Sequence, residues 1–213
     1  MSTAGRFSVL LFAGLLLVGI SGPSAARAAN AAADPAAVVQ QLAGSAIRIA
    51  RDQTLNQAQQ HAAFYRLFVE HFDMSTVGRF VLAQDWNRTS AKQKRQFEDV
   101  FPKFMIANYA SRFQYFGADT LTIQGVNVFK TGQAAVASTI QRAGQPGINV
   151  SWRLHQVDGQ WRVVDVVVEG FSMVITHRRE FSFVIEQSGV RGLLRSLAKK
   201  TEGFSGCPAT QSC

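Results

Sequence analysis

Residues Ile148 to Phe181 read INVSWRLHQV, then Asp158-Gly159, then QWRVVDVVVEG, then FSMVITHRREF. In the first run Ile148, Val150, Trp152 and Leu154 are apolar, while Asn149, Ser151, Arg153 and His155 are polar. A period of two belongs to a strand with one face on a core and the other toward water, so His155 is expected in solvent. Asp158-Gly159 predicts a hairpin, because a type I′ turn needs positive φ at both central residues. A two-residue turn there sets position 152 opposite 165, which places Asp165 beside Trp152 on the apolar face. In the return run Val163, Val164, Val166, Val167 and Val168 make both faces apolar, so something apolar must cover each side. Glu169-Gly170 ends that strand and Ser172 can cap a helix, with Val174, Ile175, Phe181 and Ile185 on the buried side. A hairpin that hands a helix back across itself can wall a pocket.

Upstream of this stretch the periodicity is helical. Asp34-Pro35 starts a helix to about Arg51, with Val38, Val39, Leu42, Ile47 and Ile49 as its apolar side. A second helix spans roughly Gln57 to Phe72, with Phe64, Leu67, Phe68 and Phe72 at helical spacing. Asp73 caps a short third helix, and Asp85 to Thr89 reads as a loop. Ser90 and Gln93 form a capping box that opens a long aromatic helix to about Tyr115, with a kink expected at Pro102. Its stripe of Phe97, Phe101, Phe104, Met105 and Tyr109 reads as an ordinary core face. After Gly117 come strand-like runs, with a bulge at Gly125 where the alternation changes phase. Val190 to Lys200 is a last helix, apolar on one side and basic on the other. Helices first and a meander of about four strands later define an α+β fold, helices packed on one strongly curved antiparallel sheet.

Residues 1–28 read as a secretory leader. Arg6 supplies the charge, Val9 to Ile20 the apolar run, and Ala26-Arg27-Ala28 the cleavage site. Residues 29–203 are expected to form a single domain, and 204–213 a flexible tail holding the only cysteines, Cys207 and Cys213. Loss of Arg6 and Arg27 with the leader takes the formal charge from +8 to +6, which suits an anionic surface or an acidic partner. Export disfavours nucleic acid as a ligand, and the basic residues form no dense patch interleaved with aromatics.

No nucleophile elbow, phosphate loop, H-E-x-x-H or C-x-x-C motif is present. His61, His71, His155 and His177 are not at metal-ligand spacing, so no metal is expected. Asp165 alone keeps an enzyme reading open, since a carboxylate in an apolar pocket can serve as an acid or base. The alternative is that it accepts hydrogen bonds and stabilises the sheet. The basic side of the last helix permits a third reading, an envelope adaptor docking through that helix. The surplus of apolar wall is compatible with a filled core or with a cavity.

Trp152, Gly159-x-Trp161, Asp165 and the run Glu169-Gly170-Phe171-Ser172-Met173-Val174 resemble the MlaC family of periplasmic phospholipid-binding proteins that serve ABC transporters linked to toluene tolerance. Phe181, Gly189, Gly192-Leu193 and the helix around FEDVFPKFMIANY (Phe97–Tyr109) extend the resemblance over nearly the whole exported chain. It implies a nuclear-transport-factor-2-like cone whose apolar cavity holds lipid tails, and a non-enzymatic carrier with phospholipid as cargo and no cofactor. It also implies a periplasmic location, and as partners an outer-membrane lipoprotein–porin complex and the periplasmic subunit of an inner-membrane transporter. Under that resemblance the tail contacts are Phe101, Phe104, Met105, Tyr109, Val150, Trp152, Leu154, Val166, Val168, Phe171 and Val174. Relatives tied to hopanoid metabolism make a polycyclic lipid an alternative cargo.

Overall fold

The computed structural model describes residues 34–113, 120–142, 144–202 and 204. The leader, Tyr115 to Gly117 and both cysteines lie outside this set. Five helices precede the sheet: α1 (Pro35–Arg51), α2 (Gln57–His71), α3 (Met74–Leu82), α4 (Asp85–Arg88) and α5 (Ala91–Phe113). The strands are β1 (Thr120–Phe129), β2 (Gln133–Arg142), β3 (Gln145–Val157), β4 (Gln160–Val168) and the two-residue β5 (Phe171–Ser172), followed by α6 (Met173–Lys200). The sheet is an antiparallel meander in the order β1-β2-β3-β4-β5. It holds one short strand more than the sequence implies, because Phe171 and Ser172 pair back onto Val168 and Val167 before the helix begins.

The helix starts follow their sequence signals. The Asp34 carboxylate accepts from the Ala36 N–H at 3.1 Å, with Pro35 at the first helical position. Ser90 and Gln93 cap each other, the Ser90 N–H donating to Gln93 Oε1 at 3.1 Å and the Gln93 N–H to Ser90 Oγ at 3.3 Å. Asn56 and Gln59 form a second capping box at the start of α2. The segment read as a loop, Asp85 to Thr89, instead holds the single turn of α4, which Thr89 closes by donating its hydroxyl to the Asp85 carbonyl at 2.7 Å. Such a turn is too short to show a periodic apolar face. Gly189, at φ 66°, interrupts α6 and separates its two halves.

Asp158 and Gly159 both have positive φ, and Val157 pairs with Gln160, as a type I′ hairpin requires. The register beyond the turn departs from simple alternation. Leu154 lies opposite Val163, but Arg153 lies opposite Asp165 and Trp152 opposite Val166, so Val164 is an extra residue in a bulge. Asp165 therefore shares its face with Arg153 and not with Trp152. The bulge also lets β4 serve two cores. Val163, Val166 and Val168 pack with Trp152, Leu154 and the helices α1 and α2, whereas Val164 packs with α3, α5 and α6.

The α2–α3 corner is tied to β3 and β4 by polar contacts. The Asp73 N–H donates to the Val163 carbonyl at 3.0 Å, Arg162 donates to the Glu70 carbonyl, and His155 Nε2 lies 2.8 Å from Asp73 Oδ2. His155 is thus half-buried against a carboxylate and not free in solvent, because alternation gives the face of a residue but not what a distant helix corner lays over it. Burial alone would raise the Asp73 pKa, but bonds from the Thr76 N–H and hydroxyl and from His155 outweigh it and hold the carboxyl below its usual range. Ile175 also departs from expectation. The buried side of α6 is set by Val174, His177 and Phe181, and Ile175 is exposed. Phe204, assigned by sequence to the tail, stacks on His61 with ring centroids 5.2 Å apart.

Candidate functional site: an apolar cavity between two cores

A cavity of about 390 Å³ lies where the two cores meet, within the size range of small-molecule sites. Each wall follows from an apolar stripe already visible in the sequence. From α1 come Leu42, Ala43, Ala46 and Ile47, and from α2 Phe64, Leu67, Phe68 and the following Phe72. The two alanines matter by their size, since a larger side chain at either position would project into the space. Met74 and Val77 of α3 and Met105, Ile106 and Tyr109 of α5 form a further side. The sheet contributes Leu121, Ile140, Ile148, Val150, Trp152, Val166 and Val168, with Val164 and Asp165 at the bulge. Met173 and Val174, at the start of α6, complete the lining.

Three side chains in this lining carry strongly polar atoms, and each is engaged by protein. Trp152 donates its indole N–H to Ser138 Oγ at 2.9 Å, and Ser138 in turn donates to the Val150 carbonyl at 3.1 Å. Asp165 accepts from Ser172 Oγ at 2.7 Å, from the Val174 N–H at 3.2 Å and from Arg153 at 3.3 Å. It thereby pins the first turn of α6 to the sheet. The Tyr109 hydroxyl lies 2.8 Å from His177 Nε2 and 3.4 Å from Met173 Sδ. On its other side the His177 ring sets Nδ1 2.9 Å from Glu180 Oε2, so one imidazole links the Tyr109 hydroxyl to that carboxylate. What remains to meet a ligand is hydrocarbon and aromatic surface. Such a wall can replace water around an apolar chain.

Of the residues proposed as tail contacts, Met105, Tyr109, Val150, Trp152, Val166, Val168 and Val174 line the cavity. The remaining four lie elsewhere. Phe101 is buried against Phe97 and Phe181 in the α3–α5–α6 core. Phe104 borders a smaller hollow of about 270 Å³ formed with α6, where Lys200 Nζ lies 5.5 Å from its ring centre. Leu154 is buried opposite Val163. Phe171 pairs with Val168 at the sheet edge and is 72% exposed. Directly paired residues share a sheet face, so Phe171 hangs beside the cavity on the side that Val168 lines. The α1 and α2 contributions were present in the sequence as helical stripes, but a stripe facing a cavity has the same spacing as one facing a filled core. Among the described residues no group of three or more His, Cys, Asp or Glu could hold a metal ion, and no helix is long and apolar enough to cross a membrane.

Comparison with known proteins agrees with this arrangement. Among solved structures, the phospholipid-binding protein of Ralstonia solanacearum, determined in complex with a phospholipid, is similar with a TM-score of 0.72. The match covers 81% of this chain and 99% of that one, at 21% identity, and so concerns the fold. A family model described as MlaC protein matches residues 40–199, well over half of the sequence. The chain belongs to the MlaC family.

Proposed function

We propose that the protein is a non-enzymatic phospholipid carrier of the periplasm, a nuclear-transport-factor-2-like cone that holds acyl tails in its cavity and leaves the headgroup outside. The observation that carries this reading is the lining itself, hydrocarbon on every side with its polar atoms turned into the protein. Family membership and the phospholipid bound by the Ralstonia protein support it. Each methylene exposed to water costs about 0.8 kcal/mol, so a lipid with about thirty methylenes cannot cross an aqueous space unshielded. A carrier must match the bilayer's environment without greatly exceeding it, or it could not release its cargo. Walls of aliphatic and aromatic side chains meet that condition. In this reading the partners are the periplasmic subunit of an inner-membrane ABC transporter and an outer-membrane lipoprotein–porin complex, and residues 1–28 export the chain.

Native mass spectrometry of the protein purified from its own envelope, followed by solvent extraction, tests the proposal. Stoichiometric phospholipid is the expected result, and a hopanoid mass keeps the carrier but changes its cargo. Protein that is empty as isolated, and that takes up no phospholipid when it is added back, overturns the reading. The Asp165 carboxylate borders the cavity, so the enzyme alternative has its own assay: lipid turnover abolished by Asp165→Asn would establish it. The three hydrogen bonds that Asp165 already accepts favour a positioning role instead.

A further inference from the structure

The solvent side of the first half of α6 does not look like an ordinary charged surface. Ile175 is 37% exposed and Phe183 64%. With Arg179 between them they stand four residues apart, in one row along the helix. Phe171, in the two-residue β5 that leads into α6, is 72% exposed and pairs with the cavity-lining Val168 at the sheet edge. On the flank toward α3, the guanidinium of Arg178 lies 5.2 Å from the ring centre of Phe80, itself 44% exposed. Single exposed apolar side chains need no explanation, but a continuous set of this size marks an interaction surface.

Its charge restricts what that surface meets. From Phe171 to Phe183 the exposed charged residues are Arg178, Arg179 and Glu180. Glu180 holds one carboxylate oxygen 2.9 Å from His177 Nδ1, and two guanidinium groups against this one carboxylate leave the face net positive. The row therefore presents guanidinium groups between large apolar side chains, the composition of a segment lying at the boundary of headgroups and acyl chains. We propose that this face docks on an anionic phospholipid bilayer, with Phe171, Ile175 and Phe183 seated among the acyl chains and Arg178 and Arg179 on the phosphates. The inference rests on the phospholipid-carrier reading, because Phe171 joins the docking row to the cavity and so brings the cavity to the surface that holds its cargo.

Co-sedimentation of the purified protein with vesicles of phosphatidylglycerol, and separately of phosphatidylcholine, tests the docking. The protein is expected to sediment with phosphatidylglycerol, less with phosphatidylcholine, and less as salt is added. Arg179→Glu and Phe183→Ser should each lower partitioning about tenfold. Neither side chain lines the cavity, so the phospholipid extracted per protein should stay unchanged. Equal binding to both vesicle types, or undiminished binding by both variants, overturns the proposal. So does wild-type protein that sediments with neither. Wild-type protein that neither carries nor takes up phospholipid overturns the carrier reading instead, whatever the vesicles show.

Discussion

At the scale of single residues, the cavity depends on where polar atoms are sent. Asp165 is the clearest case, since one buried carboxylate joins β4 to Ser172 and Val174 at the start of α6 and to Arg153 on β3. Asp165→Ala leaves buried donors without an acceptor, and chemical denaturation should show a loss of about 2–3 kcal/mol. Val168 tests the wall in the opposite sense. Val168→Glu sets a charge against the space that the tails would fill, where an unpaired ion is strongly disfavoured. Extraction of the folded variant should recover little or no phospholipid, with circular dichroism confirming that the fold is kept.

At the scale of elements, the junctions decide how walls meet. The α2–α3 corner rests on β4 through Asp73, which both caps α3 and takes the His155 contact. Because its carboxyl pKa is held below the ordinary value, the native state binds fewer protons than the unfolded chain as acid is added. Its contribution is present above the unfolded carboxylate pKa, about 3.9, and is lost as pH falls through the lower folded value. Asn also caps well, so Asp73→Asn should be nearly as stable near neutrality and lose less stability than wild type below about pH 4. Urea titrations at several pH values would measure this. Gly189 is the second junction. Its φ of 66° with ψ of 175° is a conformation essentially reserved for glycine and costs other residues roughly 1–3 kcal/mol, so Gly189→Ala should lower stability by about that amount in the same assay.

At the scale of the whole molecule, two cores share one strand, and the cavity is the gap left where they meet. A protein built around a gap loses packing contacts that cargo can restore. Ligand bound only by the folded state stabilises it by mass action, about 2.7 kcal/mol at a hundred times Kd. Removing the cargo should therefore lower the thermal midpoint by about 5–10 °C, and adding phospholipid back should restore it. An unchanged midpoint would mean that the cargo contributes little to the fold.

The sequence by itself determined whatever is written in local spacing and turn chemistry. Asp158-Gly159 forced the hairpin, Asp34-Pro35 and the Ser90–Gln93 box set helix starts, and the run of valines in β4 required cover on both faces. Those features depend on residues within a few positions of one another, so periodicity and turn chemistry reach them. Tertiary structure decided the rest. The bulge at Val164 moved Asp165 from the face of Trp152 to that of Arg153, because β4 had to satisfy two cores at once. His155 found Asp73, 82 positions away, and Tyr109 found His177, 68 positions away, through folding that no local period encodes. The lining was decided in the same way. Phe101 and Tyr109 belong to one helical stripe, yet one is buried in a filled core and the other faces the cavity, because their surroundings come from different distant elements. An apolar stripe demands removal from water. Whether the neighbour that removes it is another side chain or a space for cargo depends on how all the stripes pack together.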